Sequence, residues 1–212
     1  MIRYLIWDVD GTLFDTYPAF TKAFQAALAE FGASASLTRI ERLTKISLSH
    51  CISTLAEEFG INSEVLGHKF GEHYAKVSPQ EQPPFPDVIT LCEYICFING
   101  INVIVTHRGR ESTHRLLTAH KMAPYFTEIL AGDDHYPRKP DPTAFETVIK
   151  KHNFSLAETL AIGDRDLDIL AGQAAGVRTC FFGPELDDEV KPDFTITDFA
   201  DLHHLITAEN DE

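Results

Sequence analysis

Residues 2–12, IRYLIWDVDGT, decide how the rest of the chain is read: an apolar run from Ile2 to Trp7 stops at Asp8-Val9-Asp10-Gly11-Thr12. A short apolar run bounded by polar residues marks a buried strand, and strands buried on both faces belong to parallel sheets covered by helices. Comparable runs recur at Ile101 to Thr106, Glu128 to Ala131, Thr159 to Gly163, Thr179 to Phe182 and Phe194 to Ile196. Helical patterns alternate with them, at Asp87 to Asn99, Glu111 to His120, Pro142 to Asn153 and Asp166 to Ala175. The alternation predicts an α/β fold, a Rossmann-like three-layer core with a parallel sheet. Gly100 and Gly176 follow two of these helices, where a residue able to take positive φ is favoured.

Between Phe14 and Phe85 the alternation stops and only helical patterns remain. Pro18 to Phe31 carries an apolar stripe at Phe20, Ala23, Phe24, Ala27, Leu28 and Phe31, with a proline in its first turn. Arg39 to Phe59 and Glu64 to Lys76 continue in the same manner, before Ser78-Pro79 and Pro83-Pro84-Phe85-Pro86 form a stiff connector. Residues 16–82 are therefore expected to form a small all-helical insertion, with 1–15 and 83–212 making the α/β core. The acidic end, Ala208 to Glu212, is expected to fray.

With 18 Lys+Arg against 32 Asp+Glu the net charge is −14, which argues against nucleic acid or an anionic membrane as partner. Cys51, Cys92, Cys96 and Cys180 form no CxxC pair and are expected as small core residues of a reduced, cytoplasmic protein. No run approaches the roughly 18–20 apolar residues of a membrane-spanning helix.

In open α/β sheets ligands bind at the carboxyl ends of the strands, so the polar residues that end the apolar runs are the candidates. The first run ends in Asp8, Asp10 and Gly11, and the second in Thr106, His107 and Arg108. Lys139 sits in the loop Pro137-Arg138-Lys139-Pro140-Asp141-Pro142, and the run from Thr159 ends in Gly163-Asp164-Arg165-Asp166-Leu167-Asp168. Packing Asp8, Asp10 and Asp164 together without a cation would raise at least one pKa strongly, and Mg²⁺ relieves that repulsion. Lys139 and the Thr106 hydroxyl would complete a pocket for a tetrahedral anion. An aspartate, Mg²⁺, a lysine and a hydroxyl donor form the equipment of phosphoryl transfer through an aspartyl phosphate.

DVDGT, then Thr106, then Lys139 in RKPDP, then GDRDLD followed by AGQAAG resembles the haloacid dehalogenase superfamily over the whole chain. The helical insertion after the first strand resembles the cap domain of one of its subgroups, that of phosphoglycolate phosphatases and β-phosphoglucomutase. The resemblance implies that Asp8 is the nucleophile and Asp10 the general acid and base. Thr106 would bind a phosphoryl oxygen and Lys139 would neutralise charge. Mg²⁺ would be held by Asp8, the backbone carbonyl of Asp10 and Asp164, with Asp168 supporting them from behind. Asp10 separates the two chemistries of the superfamily, because a halide leaves without a proton and an alkoxide does not. The expected activity is thus hydrolysis of a small phosphomonoester, with a phosphosugar mutase as the alternative.

Gly11, His107, Arg108 and, from the cap, Lys45 are the expected substrate contacts, with Arg42 and His50 as weaker cap candidates. Arg138 competes with Lys139 for the phosphate-facing position. Asp166 is expected to serve only the N-terminus of its helix. The expected partner is a small phosphorylated metabolite, with the protein a monomer or homodimer. His68 and His73, five apart, do not share a helical face at metal-ligand spacing.

Overall fold

The computed structural model describes residues 1–184, 186–187 and 189–211. The chain divides into two compact units, Met1–Phe14 with Pro84–Glu212, and Asp15–Pro83.

The first unit is built on six strands: β1 (Tyr4–Trp7), β2 (Ile101–Val105), β3 (Phe126–Leu130), β4 (Thr159–Gly163), β5 (Arg178–Phe182) and β6 (Phe194–Ile196). They lie in the order β3-β2-β1-β4-β5-β6, every pair parallel. Alternation of side chains gives the sheet two apolar faces. Leu5, Trp7 and Ile104 point to one, together with Leu91 and Ile95, Leu116 and Leu117, and Phe199 and Leu202. Ile6, Val103 and Val105 point to the other, with Phe145, Val148 and Ala171.

The helical unit comprises α1 (Tyr17–Ala29), α2 (Leu37–Ile46), α3 (Leu48–Phe59) and α4 (Ser63–Tyr74). Phe20, Phe24, Leu28, Ile40, Leu55, Leu66 and Phe70 make its core, and the Phe24 and Phe70 rings stack with centroids 4.1 Å apart. The helices of the sheet unit are α5 (Val88–Phe97), α6 (Arg110–Ala119), α7 (Thr143–His152), α8 (Asp166–Ala174) and α9 (Phe199–Asp211).

Several expectations need correction. The single helix expected over Arg39 to Phe59 is two: Ser47 is extended (φ −171°, ψ 158°), ends α2 and caps α3 by accepting a hydrogen bond from the His50 N–H. Phe31 does not continue the stripe of α1, which stops at Ala29, and its side chain is exposed. Asn99, not Gly100, takes the positive φ after α5. Gly100 is small for another reason, since a Cβ there would lie 2.2 Å from the Arg3 carbonyl oxygen. Cys96 is exposed, unlike the other three cysteines. The acidic end does not fray through Asp211: Asn210 accepts from Ile2 N and donates to Ile2 O, and Glu209 pairs with Arg178. Glu212 lies outside the described residues.

Candidate functional site

Sheet order passes from β1 to β2 on one side and from β1 to β4 on the other, so the crevice beyond the ends of β1 and β4 is the topological switch point where open α/β sheets bind ligands. Asp8 stands there. Its N–H donates to the Ile162 carbonyl at 3.0 Å, which holds the chain in register up to the first residue past β1. The backbone then turns sharply: Gly11 has φ +79°, and the Phe14 N–H returns to the Val9 carbonyl. Glycine takes that φ without the penalty a Cβ would bring.

Lys139 is the hub of the site, its side chain 1% exposed. Its Nζ donates to Asp8 Oδ1 at 2.6 Å and to the Val105 carbonyl at 3.1 Å, and lies 2.5 Å from Asp168 Oδ1. Three acceptors surround an ammonium with three donors. Burial works against the charge of Lys139, but Asp168 and Asp8 outweigh it and hold its pKa above the usual lysine value. Asp168 is pushed the other way: burial raises its pKa, Lys139 lowers it in part, and the neighbouring Asp8 raises it again. Two carboxylates thus compete for one cation in a water-poor pocket.

Carboxylate oxygens of Asp8, Asp164 and Asp168 lie within 4.8 Å of one another. Asp8 Oδ2 is buried and has no hydrogen-bond partner among the described residues. An all-oxygen donor set with an unsatisfied buried oxygen fits a hard divalent cation such as Mg²⁺. Asp168 contributes an oxygen to this cluster, while its Oδ1 faces Lys139 at 2.5 Å and its Oδ2 accepts from the Arg165 N–H at 3.2 Å. Gly163 makes the approach possible, because a Cβ there would lie 2.2 Å from the Cβ of Asp168.

The Asp10 side chain lies outside that cluster, where its Oδ1 accepts from Arg108 Nη1 at 2.7 Å. Thr106 is buried, and its Oγ1 accepts from the Arg108 N–H at 3.1 Å, which leaves the hydroxyl proton to be donated elsewhere. His107 Nε2 accepts from the backbone N–H of Lys139 at 2.9 Å. Arg138, the competitor of Lys139, is exposed. Asp166 is exposed in the first turn of α8. Arg165, which the sequence did not single out, brings Nε within 3.9 Å of both Asp164 and Asp168.

A family model described as haloacid dehalogenase-like hydrolase matches residues 5–182. The chain belongs to the haloacid dehalogenase-like hydrolases. Among its relatives is the phosphoglycolate phosphatase of Yersinia pseudotuberculosis, 30% identical, with the alignment covering 95% of this chain and 91% of that protein. A solved hydrolase from Streptococcus pneumoniae is also 30% identical and superposes with a TM-score of 0.68 over 97% of this chain and 98% of the other. A "predicted phosphoglycolate phosphatase" from Haemophilus somnus, 22% identical, shares the fold with a TM-score of 0.85 over 97% and 98% of the two chains.

In this hydrolase the expected cap contacts lie in the helical unit. Lys45, on α2, has its Nζ 3.3 Å from Glu41 Oε1 and 5.2 Å from the centroid of the Tyr17 ring. Arg42 and His50 are exposed. No helix among the described residues is long and apolar enough to cross a membrane.

Proposed function

We propose that this hydrolase is a Mg²⁺-dependent phosphatase that cleaves a small phosphomonoester through an aspartyl phosphate on Asp8. The observation that carries this reading is the buried Asp8 carboxylate at the switch point, held by Lys139 through one oxygen with the other oxygen unsatisfied. Asp8, Asp164 and Asp168 are the carboxylates that would hold Mg²⁺, with the Asp10 carbonyl as a further ligand. Bound there, the ion supplies charge neutralisation to the phosphoryl oxygens.

A carboxylate oxygen of Asp8 attacks phosphorus, the bond from phosphorus to the ester oxygen breaks, and that oxygen takes the proton of the Asp10 carboxyl. Water then attacks phosphorus while the Asp10 carboxylate takes its proton, the bond to Asp8 breaks, and inorganic phosphate leaves. Lys139 offsets charge between nucleophile and phosphate, and the Thr106 hydroxyl donates to a phosphoryl oxygen. Gly11 and Arg108 line the path of the substrate. The helical unit, inserted between β1 and α5, is assigned the part of a cap, with Lys45 among the residues that read the leaving group. The kinship with phosphoglycolate phosphatases favours a small phosphorylated acid as substrate. We place this activity in the cytoplasm, in a monomer or homodimer.

Phosphate release from an aryl phosphate and from a panel of phosphorylated metabolites, with Mg²⁺ or with a chelator, tests the reading. Release should require the metal and vanish in Asp8→Asn. Unaltered release from Asp8→Asn overturns the mechanism, and conversion of a sugar phosphate to its isomer without free phosphate would make the protein a mutase.

A further inference from the structure

The ring of His107 does not point its acceptor at a ligand; it spends it on the main chain of another loop. Nε2 accepts from the Lys139 N–H at 2.9 Å, so Lys139 is gripped at both ends, at its backbone by His107 and at its ammonium by the Val105 carbonyl, Asp8 and Asp168. Both holds from the β2 exit come from residues two apart in sequence. That exit is itself fixed. The Gly132 N–H donates to the Arg108 carbonyl at 2.9 Å, and the Arg108 N–H donates to Thr106 Oγ1 at 3.1 Å. At Gly132 the loop after β3 runs so close that a Cβ would lie 2.2 Å from the His107 carbonyl oxygen. Thr106, His107, Gly132, Arg138 and Lys139 line a narrow cleft at this exit.

We infer that His107 is the positioning residue for Lys139, a clamp between the β2 exit and the loop that carries the lysine, and not a substrate contact. The inference rests on the proposed role of Lys139 at Asp8. As acceptor, Nε2 must carry no proton, so the neutral ring holds its proton on Nδ1. Burial, and then the charges of Lys139, Arg138 and Arg165, push the His107 pKa down to about 2, in keeping with its place as an acceptor. A side chain of the right reach with an acceptor at its end should replace it. Glutamine places Oε1 near the position of Nε2, asparagine falls short, and phenylalanine keeps the ring without the acceptor.

Steady-state kinetics on the full chain with an aryl phosphate and Mg²⁺, alongside thermal unfolding, read the clamp directly. His107→Phe leaves the Lys139 N–H without a partner, and kcat should fall about tenfold to a hundredfold with KM within about twofold of wild type. His107→Gln should recover kcat to within a few-fold, at an unfolding midpoint close to wild type. Full kcat in His107→Phe, a rise in KM alone, or a His107→Gln no better than His107→Phe each overturn the inference. If His107→Phe does not fold, the comparison of His107→Gln with His107→Asn decides, and equal kcat values overturn it. An active Asp8→Asn would defeat the proposed function, whereas an inactive Asp8→Asn beside an unaffected His107→Phe defeats only the clamp.

Discussion

Two lysines in this molecule each face two carboxylates, and their surroundings make them opposites. Lys139 has Asp8 at 2.6 Å and Asp168 at 2.5 Å, with none of the three side chains more than 3% exposed. Lys69, in the helical unit, has Glu30 at 3.0 Å and Glu72 at 2.9 Å, with all three between 33% and 42% exposed. In water the partners win on every side: hydrogen bonds from His73 and Lys69 lower the pKa of Glu30, and Lys69 lowers that of Glu72. In the buried triad burial and the second carboxylate win at Asp168, whose pKa rises. Taking charges out of water costs more than one attraction returns, so the buried arrangement is a poor device for stability. The proposed chemistry, which requires a nucleophile and a cation held together, gives a reason for its presence at the switch point.

The largest effect that separates the two should come from Lys139→Met. Two buried carboxylates then stand side by side with no ammonium between them, which should destabilise the fold by about 3–5 kcal/mol. Phosphate release should drop by roughly a hundredfold or more, the loss expected when a charge aimed at the transition state is removed. Because the Asp8 and Asp168 repulsion is left uncompensated, Mg²⁺ should raise the unfolding midpoint of this variant by more than it raises that of wild type. A midpoint indifferent to Mg²⁺ in both proteins would count against a metal at this cluster.

Gly163→Ala attacks the same triad by shape alone. The new Cβ would meet the Asp168 Cβ at 2.2 Å and its Cγ at 2.5 Å, so the first turn of α8 must move away from β4. Overpacking of this kind costs about 1–3 kcal/mol, and a displaced Asp168 should lower turnover by about tenfold. Denaturant unfolding and kinetics on one preparation measure both, and full activity would mean that the position of Asp168 is not critical.

How far the sequence foretold these features depends on the distance over which each is decided. The sheet was legible because each strand announces itself locally, as an apolar run that ends in polar residues at Asp8, Thr106 and Asp164. The break at Ser47 was not, since the apolar periodicity runs straight through it and serine is tolerated on either side of a helix boundary; the hydrogen bond from His50 N–H to Ser47 Oγ is the feature that decides. Asp8, Asp10 and Asp164 could be set together as residues at strand ends, with Lys139 beside them, and Asp168 only through the family resemblance; the structure brings an oxygen of Asp168 into the group and pairs Asp10 with Arg108 instead. The pairing of Arg108 with Asp10 spans 98 residues and that of Lys139 with His107 spans 32, and nothing in either neighbourhood indicates its partner. The closure of Asn210 onto Ile2, 208 residues apart, was hidden for the same reason behind a polar composition that suggested a loose tail.

Asp15 gives a smaller effect, with a pKa raised, as that of Asp168 is, chiefly by burial. Burial, and then Glu41, raise its pKa, while Lys45 lowers it in part. An acid whose folded pKa lies above its unfolded value binds protons more tightly when folded. Its favourable contribution is complete below the ordinary value of 3.8 and is lost as the pH rises through the raised value. At neutral pH Asp15→Asn should therefore be more stable than wild type, by less than about 1 kcal/mol for a partly exposed group. The gain should shrink as the pH is lowered through the window, and a gain that does not depend on pH would assign it to something other than the charge.

The smallest effect should come from Lys69→Met, and its smallness is the point of the comparison. Lys69 loses the same number of carboxylate partners as Lys139 does, at distances only a few tenths of an ångström longer. Glu30 and Glu72 stay in contact with water, however, and Glu30 keeps His73 at 2.6 Å, so neither carboxylate is stranded. Exposed pairs also lose side-chain entropy in forming and are screened by salt. The denaturant midpoint of Lys69→Met should be hard to tell from that of wild type, and any difference should vanish at high salt. A loss approaching that of Lys139→Met would mean that burial is not what sets the two lysines apart.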